Sequence, residues 1–148
     1  MIVRSLLAAC LLSVAMAAPL RADPVADSVT ALSPAIQDVR VLGTWEKDGQ
    51  KGAYRIIVAR SGPEPTARIF VQWLARGSDG TAQVLRSVDI KEMIELKRNV
   101  GNLVAEADPD GLSIFLEMID PTAPNAAKES YELFIGDDET YRFGPASN

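Results

Sequence analysis

The chain has 148 residues, a length suited to one domain, and its 15 Lys and Arg residues against 20 Asp and Glu residues give a net charge of −5. An acidic chain without a basic run is a poor nucleic-acid binder and gains nothing from anionic lipid. Histidine is absent from the sequence, which excludes Ser-His-Asp and Cys-His catalysis, histidine-ligated metal centres and a histidine pH switch.

The first residues contain the three parts of a secretory signal peptide. Arg4 supplies a basic start, Leu6 to Ala17 form an apolar run, and Ala15-Met16-Ala17 matches a small-x-small cleavage site. The 12 residues of this run are fewer than the roughly 18 that a membrane-spanning helix needs. We therefore predict a signal peptide over residues 1–17, cleaved after Ala17 or after Ala22, no membrane span, and a periplasmic or secreted protein.

A competing interpretation is lipid attachment at Cys10, because Leu7-Ala8-Ala9-Cys10 resembles a bacterial lipobox. Cleavage before Cys10 would leave too short an apolar signal and would expose further apolar residues at the new N-terminus, so ordinary cleavage is the better prediction. Ordinary cleavage removes the only cysteine of the chain. The mature protein then has no disulfide and no thiol ligand, and we predict no cofactor.

Residues 18–35 are rich in Pro, Ala, Asp and Ser, which is typical of a mobile N-terminal arm. Within the arm, Asp23 followed by Pro24 is typical of a helix start. Apolar residues follow at spacings of four and three, at Val25, Val29 and Leu32. The pattern allows one short helix in the arm, ahead of a single domain over residues 36–148.

The clearest strand signal runs from Val39 to Arg60 around Asp48-Gly49, a pair suited to a type I′ hairpin turn. With these two as the turn residues, each residue i faces residue 97 − i. The register pairs Glu46 with Lys51, Trp45 with Gly52, Val41 with Ile56 and Val39 with Val58. One face of the hairpin is then apolar and is predicted to lie on the core, with Val39, Val41, Trp45, Tyr54, Ile56 and Val58.

A second hairpin is predicted from Ala67 to Ile90, with Gly77 to Gly80 as the turn. Its first strand, Ile69 to Leu74, is apolar on both faces. This pattern predicts a central strand covered on each side. The segment Asp89 to Lys97 fits both a helical and an alternating pattern, and we favour a short helix or irregular turn.

Turn chemistry marks the remaining strands. Asp108-Pro109-Asp110-Gly111 predicts a hairpin between Leu103–Glu106 and Leu112–Ile119. Asp137-Asp138 separates two further strands, Ser130–Ile135 and Glu139–Phe143. Residues 120–128 form the longest predicted loop. The total is about eight short strands and one or two short helices, a mainly β, single-domain antiparallel sandwich or small barrel.

Carboxylates are the only acid–base groups that remain, and a glycan hydrolase would need two of them about 5 to 10 Å apart. Candidates are Glu92, Glu95, Glu106 and Glu117, each of which also suits a solvated position. Two acidic turns, Asp108–Gly111 and Gly136–Glu139, are candidates for calcium. Neither reaches the ligand count of a calcium loop, and a turn alone explains Asp and Gly there.

Aromatic residues on predicted strands are the other candidates, because exposed Trp or Tyr marks contact surfaces for proteins or sugars. We expect Trp73 and Tyr54 to pack in the core. Trp45, near the hairpin tip, is the best candidate for exposure, although it also suits covering Gly52. Trp45, Tyr131 and Tyr141 are therefore the predicted binding residues.

In size and predicted export the chain is similar to the periplasmic lysozyme inhibitors. The similarity is of class only, because Ser61-Gly62-Pro63-Glu64-Pro65 lacks the tyrosine of their Ser-Gly-x-x-Tyr loop. The sequence predicts an exported, non-catalytic binding protein of the bacterial envelope, whose partner is an envelope or secreted protein or a glycan. The alternatives are a carboxylate-dependent glycan hydrolase and a calcium-binding envelope protein.

Overall fold

The computed structural model describes residues 23–63, 66–108 and 110–147. The chain divides into two units between Leu32 and Ser33, which are treated separately below. The elements in chain order are α1 Pro24–Thr30, β1 Ile36–Lys47, β2 Gln50–Ser61, β3 Thr66–Arg76, β4 Ala82–Asp89, α2 Glu92–Leu96, β5 Asn99–Asp108, β6 Gly111–Ile119, β7 Glu129–Gly136 and β8 Tyr141–Pro145. The predicted signal peptide and Cys10 lie outside the described residues.

The short helix predicted in the arm is confirmed as α1. The Asp23 carboxylate caps it by accepting from the backbone N–H groups of Val25, at 2.9 Å, and Ala26, at 3.3 Å. Pro24 occupies the first turn, where its missing N–H costs no helical hydrogen bond. All residues of α1 are exposed, among them Val25 and Val29.

The prediction of an antiparallel β-sandwich is confirmed. Within the described residues, eight strands form two four-stranded sheets: sheet 1, in the order β1-β2-β3-β4, and sheet 2, in the order β5-β6-β7-β8. Every neighbouring pair is antiparallel and consecutive in the chain, so each strand connects directly to its neighbour in the sheet, with the longest of these loops, residues 120–128, between β6 and β7. The sheets stay separate, and the alternative of a closed barrel is wrong.

The core combines the inward-facing side chains of both sheets. Alternation along each strand places every second residue in it, and α2 adds Met93. The fully buried large side chains are Tyr54, Ile56, Ile69, Val71, Ile90, Met93, Leu112, Ile114, Leu116, Met118, Leu133 and Ile135. Core burial of Tyr54 and Trp73 is as predicted.

The first hairpin follows the predicted register only near its turn. Trp45 faces Gly52 as expected, but a bulge between Leu42 and Trp45 shifts the pairing by one residue. Gly43 lies in this bulge at φ +57, a left-handed conformation that favours glycine. Beyond the bulge Val41 faces Arg55 instead of Ile56, and Val39 faces Ile57 instead of Val58.

A shift of one residue turns the side chains of a strand over to the other face. The predicted core positions of Val39 and Val41 are therefore wrong, and these residues are 44% and 60% exposed. Arg40 takes an inward position instead. Its Nη1 donates to the Leu103 carbonyl of β5 at 2.7 Å, and its Nε donates to the Asp38 carboxylate at 2.7 Å.

Three other expectations are resolved by the fold. The ambiguous segment from Asp89 to Lys97 contains α2, which confirms the helical alternative. The last strand begins at Tyr141, two residues later than predicted, because Glu139 belongs to the turn at φ +68. The central position of β3 is confirmed. Its inner face is buried in the core, whereas on its outer face Leu74 is buried and Phe70 is partly exposed.

Candidate functional site

A cleft of about 320 Å³ opens at one end of the sandwich. It lies between the tip of the β1–β2 hairpin, the β3–β4 pair and the turn between β7 and β8. Its walls are formed by Trp45, Lys47, Asp48, Gln50, Trp73, Leu85, Arg86, Asp137 and Glu139. The cleft therefore combines both tryptophans of the chain with acidic and basic side chains from both sheets.

The two tryptophans are walls of the cleft rather than exposed platforms. Trp45 is 7% exposed and Trp73 is 3% exposed, so the expectation that Trp45 is exposed is wrong. The alternative, that Trp45 covers Gly52, is confirmed, since a Cβ on Gly52 would lie 2.6 Å from the indole. The Trp45 Nε1–H donates to the Ala53 carbonyl at 3.2 Å, which satisfies the polar edge of the ring.

Glu139 joins the two sheets across the mouth of the cleft. Its carboxylate accepts from Arg86 Nη1 at 2.8 Å and from Lys47 Nζ at 3.2 Å. The hydrogen bond from Arg86 and then that from Lys47 hold the pKa of Glu139 below its usual value. Glu139 is only partly buried, so water screens these ion pairs and their main effect is to position the turn.

A second polar contact lies deeper, where the Tyr54 hydroxyl donates to the Asp137 carboxylate at 3.4 Å. The Tyr54 side chain is fully buried and meets Trp73 edge to face, with ring centroids 5.9 Å apart. Burial, together with the charge and hydrogen bond of Asp137, raises the pKa of Tyr54 to about 12. Tyr54 is therefore a neutral donor at physiological pH.

This raised pKa predicts a loss of stability in alkali. Between about pH 10 and about pH 12 the unfolded chain releases the Tyr54 proton while the folded protein retains it, so the free energy of unfolding falls as pH rises. Tyr54→Phe should remove the tyrosinate absorbance step of highest midpoint. Tyr131→Phe is the control and should keep that step. A Tyr54→Phe protein that retains the step near pH 12 would contradict the assignment.

The other two predicted binding residues lie away from the cleft. Tyr131 stacks on Phe143 with ring centroids 5.3 Å apart, and its hydroxyl donates to Glu129 at 3.4 Å. Tyr141 donates to Glu92 of α2 at 3.1 Å. Burial and the neighbouring carboxylate raise the pKa of both tyrosines. Of the three predicted residues, only Trp45 reaches the cleft, and binding by any of them remains a prediction.

The sequence does not predict that four charged residues of the cleft belong to one site: Lys47, Arg86, Asp137 and Glu139. Lys47 and Glu139 are 92 positions apart and meet only because the β7–β8 turn folds over sheet 1. In the sequence, Asp137 and Glu139 stand out only as members of Gly136–Glu139, a candidate calcium turn. No local pattern could connect these residues, since the contact depends on how the two sheets stack.

Two of the candidate carboxylates for hydrolysis, Glu106 and Glu117, do not form a pair. Glu106 and Glu117 share the outer face of sheet 2, where Glu106 faces Ser113, four residues from Glu117 along β6. Four residues of strand span about 13 Å, which exceeds the separation that glycoside hydrolysis needs. Glu117 also accepts from Lys128 at 2.6 Å, and Glu92 is engaged by Tyr141.

The two acidic turns do meet, since the Asp137 N–H donates to the Asp110 carbonyl at 3.1 Å. Their carboxylates are nevertheless engaged elsewhere: Asp138 accepts from the Thr140 hydroxyl at 2.6 Å, and Asp137 accepts from Tyr54. Among the described residues, no three acidic side chains are arranged to hold a metal ion.

In the cleft, Lys47 and Arg86 both form ion pairs with Glu139, and Asp137 accepts a hydrogen bond from the buried Tyr54 behind the wall. No helix among residues 23–63, 66–108 and 110–147 has the length and apolar character to cross a membrane. Comparison of the chain with protein-family models, with curated proteins and with solved structures finds no match.

Proposed function

We propose that this chain is an exported, non-catalytic binding protein of the bacterial envelope, and that the cleft at the β1–β2 hairpin end holds a short glycan fragment. The observation that carries the proposal is the composition of the cleft walls, which join two tryptophans to polar side chains already fixed by one another. Polar groups that are already held in place beside aromatic rings bind a hydroxyl-rich ligand without a further entropic cost for ordering their side chains.

The charge of the cleft favours a neutral, polar ligand. Two cations, Lys47 and Arg86, stand against three carboxylates, those of Asp48, Asp137 and Glu139. A strongly anionic ligand would face the excess carboxylate, and a cationic one would face Lys47 and Arg86. The volume of about 320 Å³ accommodates one or two sugar rings, at the small end of ligand pockets.

Binding is favoured over catalysis because the Glu139 carboxylate, which joins the two sheets at the cleft, is committed to ion pairs with Arg86 and Lys47. The pKa of Glu139 is lowered by Arg86 and Lys47, so this carboxyl stays ionised and is a poor general acid at neutral pH. A glycan hydrolase needs one carboxyl with a raised pKa beside one that is ionised.

Tryptophan fluorescence tests the proposal directly, because both tryptophans of the chain line the cleft. Titration with N-acetylglucosamine oligosaccharides and soluble peptidoglycan fragments is expected to change the emission saturably, with a Kd at or below about 1 mM. Leu85→Glu, which places a charge on a 50% exposed cleft residue, should weaken binding about tenfold or more. Val84→Glu is the matched control, since Val84 is 48% exposed and lies outside the cleft.

Two results would contradict this function. If the emission does not saturate with any of these glycans, the proposal that the cleft binds a glycan is wrong. Shortening of the glycan chains, with activity lost in Glu139→Gln but kept in Glu117→Gln, would establish the hydrolase instead.

A further inference from the structure

The outer face of sheet 1, which points away from the core, has an apolar character that the sandwich itself does not use. Its apolar members are Val39, Val41, Ile57, Phe70, Leu74 and Val84. Three of them are widely exposed: Val39 at 44%, Val41 at 60% and Val84 at 48%. Exposed apolar side chains grouped on one sheet face in this way are typical of an interaction site.

This face explains the apolar pattern of β3. The sequence of Ile69 to Leu74 is apolar on both sides, as in a strand covered twice, yet only the inner side is buried in the core. On the outer side Phe70 is half-exposed beside Ile57. Because only the inner apolar side of β3 packs in the core, its outer apolar side is available to a partner.

A groove of about 560 Å³ crosses the face near the hairpin tip. Its lining includes the small side chains of Ala53 and Ala82 and the larger ones of Val41, Leu74, Lys51 and Arg76. The groove is the size of one or two large apolar side chains from a partner.

The charge of the face is opposite to that of the chain, whose net charge is −5. Glu46 and Asp89 are its two carboxylates, and Glu46 pairs with Lys51 at 2.8 Å while Asp89 pairs with Arg68. The face carries four basic side chains, Lys51, Arg55, Arg68 and Arg76. Within the described residues neither Arg55 nor Arg76 forms an ion pair, so two positive charges remain in excess.

A hydrogen-bonded row fixes one of these charges in place. Arg55 Nε donates to Gln72 Oε1 at 2.7 Å, and Gln72 Nε2 donates to Ser87 Oγ at 3.2 Å. The row lies between two apolar rows, and it holds the Arg55 guanidinium beside Val41, its neighbour in β1. An arginine positioned in this way keeps donors free for a carboxylate.

We propose that the outer face of sheet 1 docks an acidic segment of a partner protein, which inserts apolar side chains into the groove and sets carboxylates against Arg55 and Arg76. Charge complementarity decides the occupant. In a dimer through this face, the basic face of one copy would repel the basic face of the other. Nucleic acid is bound mainly through its phosphates and would leave the apolar groove unfilled. An anionic membrane surface would call for protruding apolar residues, whereas this site is concave.

The test uses the full chain and a synthetic helical peptide with leucines along one face and glutamates along the other. The same peptide with lysine in place of glutamate is its control. The glutamate peptide is expected to bind with a Kd at or below about 1 mM, measured by calorimetry, and about tenfold or more tightly than the lysine peptide. Added salt should weaken the binding.

Variants locate the peptide on this face. Arg76→Glu and Val41→Glu should each weaken binding about tenfold or more, since one reverses a wall charge and the other places a carboxylate at the groove. Arg142→Glu and Val104→Glu make the same changes on the outer face of sheet 2, where Val104 is 49% exposed, and should leave binding unchanged. Leu85→Glu should also leave it unchanged, which separates this site from the glycan cleft.

Four outcomes would overturn the proposal. The first two are that the glutamate peptide does not bind and that the lysine peptide binds equally well. Anionic phospholipid vesicles, but not the peptide, bind in a manner sensitive to Arg76→Glu, which would make the face a membrane contact. The chain sediments as a dimer that Val41→Glu dissociates, which would make the occupant a second copy.

Discussion

Gly52→Ala is expected to lower the free energy of unfolding by about 3 kcal/mol or more, because the added methyl group has no space. A Cβ at this position would lie 1.9 Å from the Leu74 carbonyl oxygen and 2.6 Å from the Trp45 indole. The indole could move, but the carbonyl belongs to the backbone of β3 and moves only with the sheet. The variant should therefore also disturb the cleft wall that Trp45 forms.

Urea unfolding followed by circular dichroism measures the effect, and near-ultraviolet spectra report the environment of the tryptophans. Gly144→Ala in β8 is the matched control, since no atom lies within 4 Å of its Cβ position, and its change should stay below about 1 kcal/mol. Equal stability of the two variants would show that Gly52 does not lie this close to the Leu74 carbonyl and the Trp45 indole.

Ile114→Ala is expected to cost about 3 to 4 kcal/mol, as buried aliphatic residues do when truncated in a packed core. The Ile114 side chain is 0% exposed and lies on the inner face of β6, between the two sheets. Removing three carbon atoms there leaves a cavity that rigid strands close only in part. The loss is a large share of the stability of an ordinary domain.

The next residue along β6 provides the control. Phe115 points to the outer face of sheet 2 and is 38% exposed, so Phe115→Ala should cost less than about 1.5 kcal/mol although it removes a larger side chain. The two variants are compared by urea unfolding under the same conditions. A larger loss for Phe115→Ala would mean that sheet 2 packs through the opposite face.

Residues that are close together in the chain predicted much of the fold. Asp48-Gly49 predicted the first turn because only a few residues adopt its left-handed conformations, and both residues do have positive φ. The pairing of Trp45 with Gly52 followed by counting from that turn. The same counting was wrong beyond Gly43, because a bulge inserts a residue without changing the apolar pattern on either side of it.

The candidate site was less predictable. Trp45 was predicted as a binding residue and does line the cleft, but its burial depends on Gly52 across the strand. Arg86 and Glu139 each look like ordinary surface charges in the sequence. Their ion pair at 2.8 Å exists because the last turn of sheet 2 reaches sheet 1.

By itself the sequence determined the mainly β class, the hairpin turns, the helix cap at Asp23 and the core positions of Tyr54 and Trp73. These features depend on residues close in the chain or on simple alternation, which local sterics and apolar burial control. Only the tertiary structure decided which face of β1 is buried, which charges meet in the cleft, and that sheet 1 has a basic apolar face. Those outcomes depend on the bulge at Gly43 and on the stacking of the sheets. A register shift of one residue exchanges the side chains on the two faces of a strand.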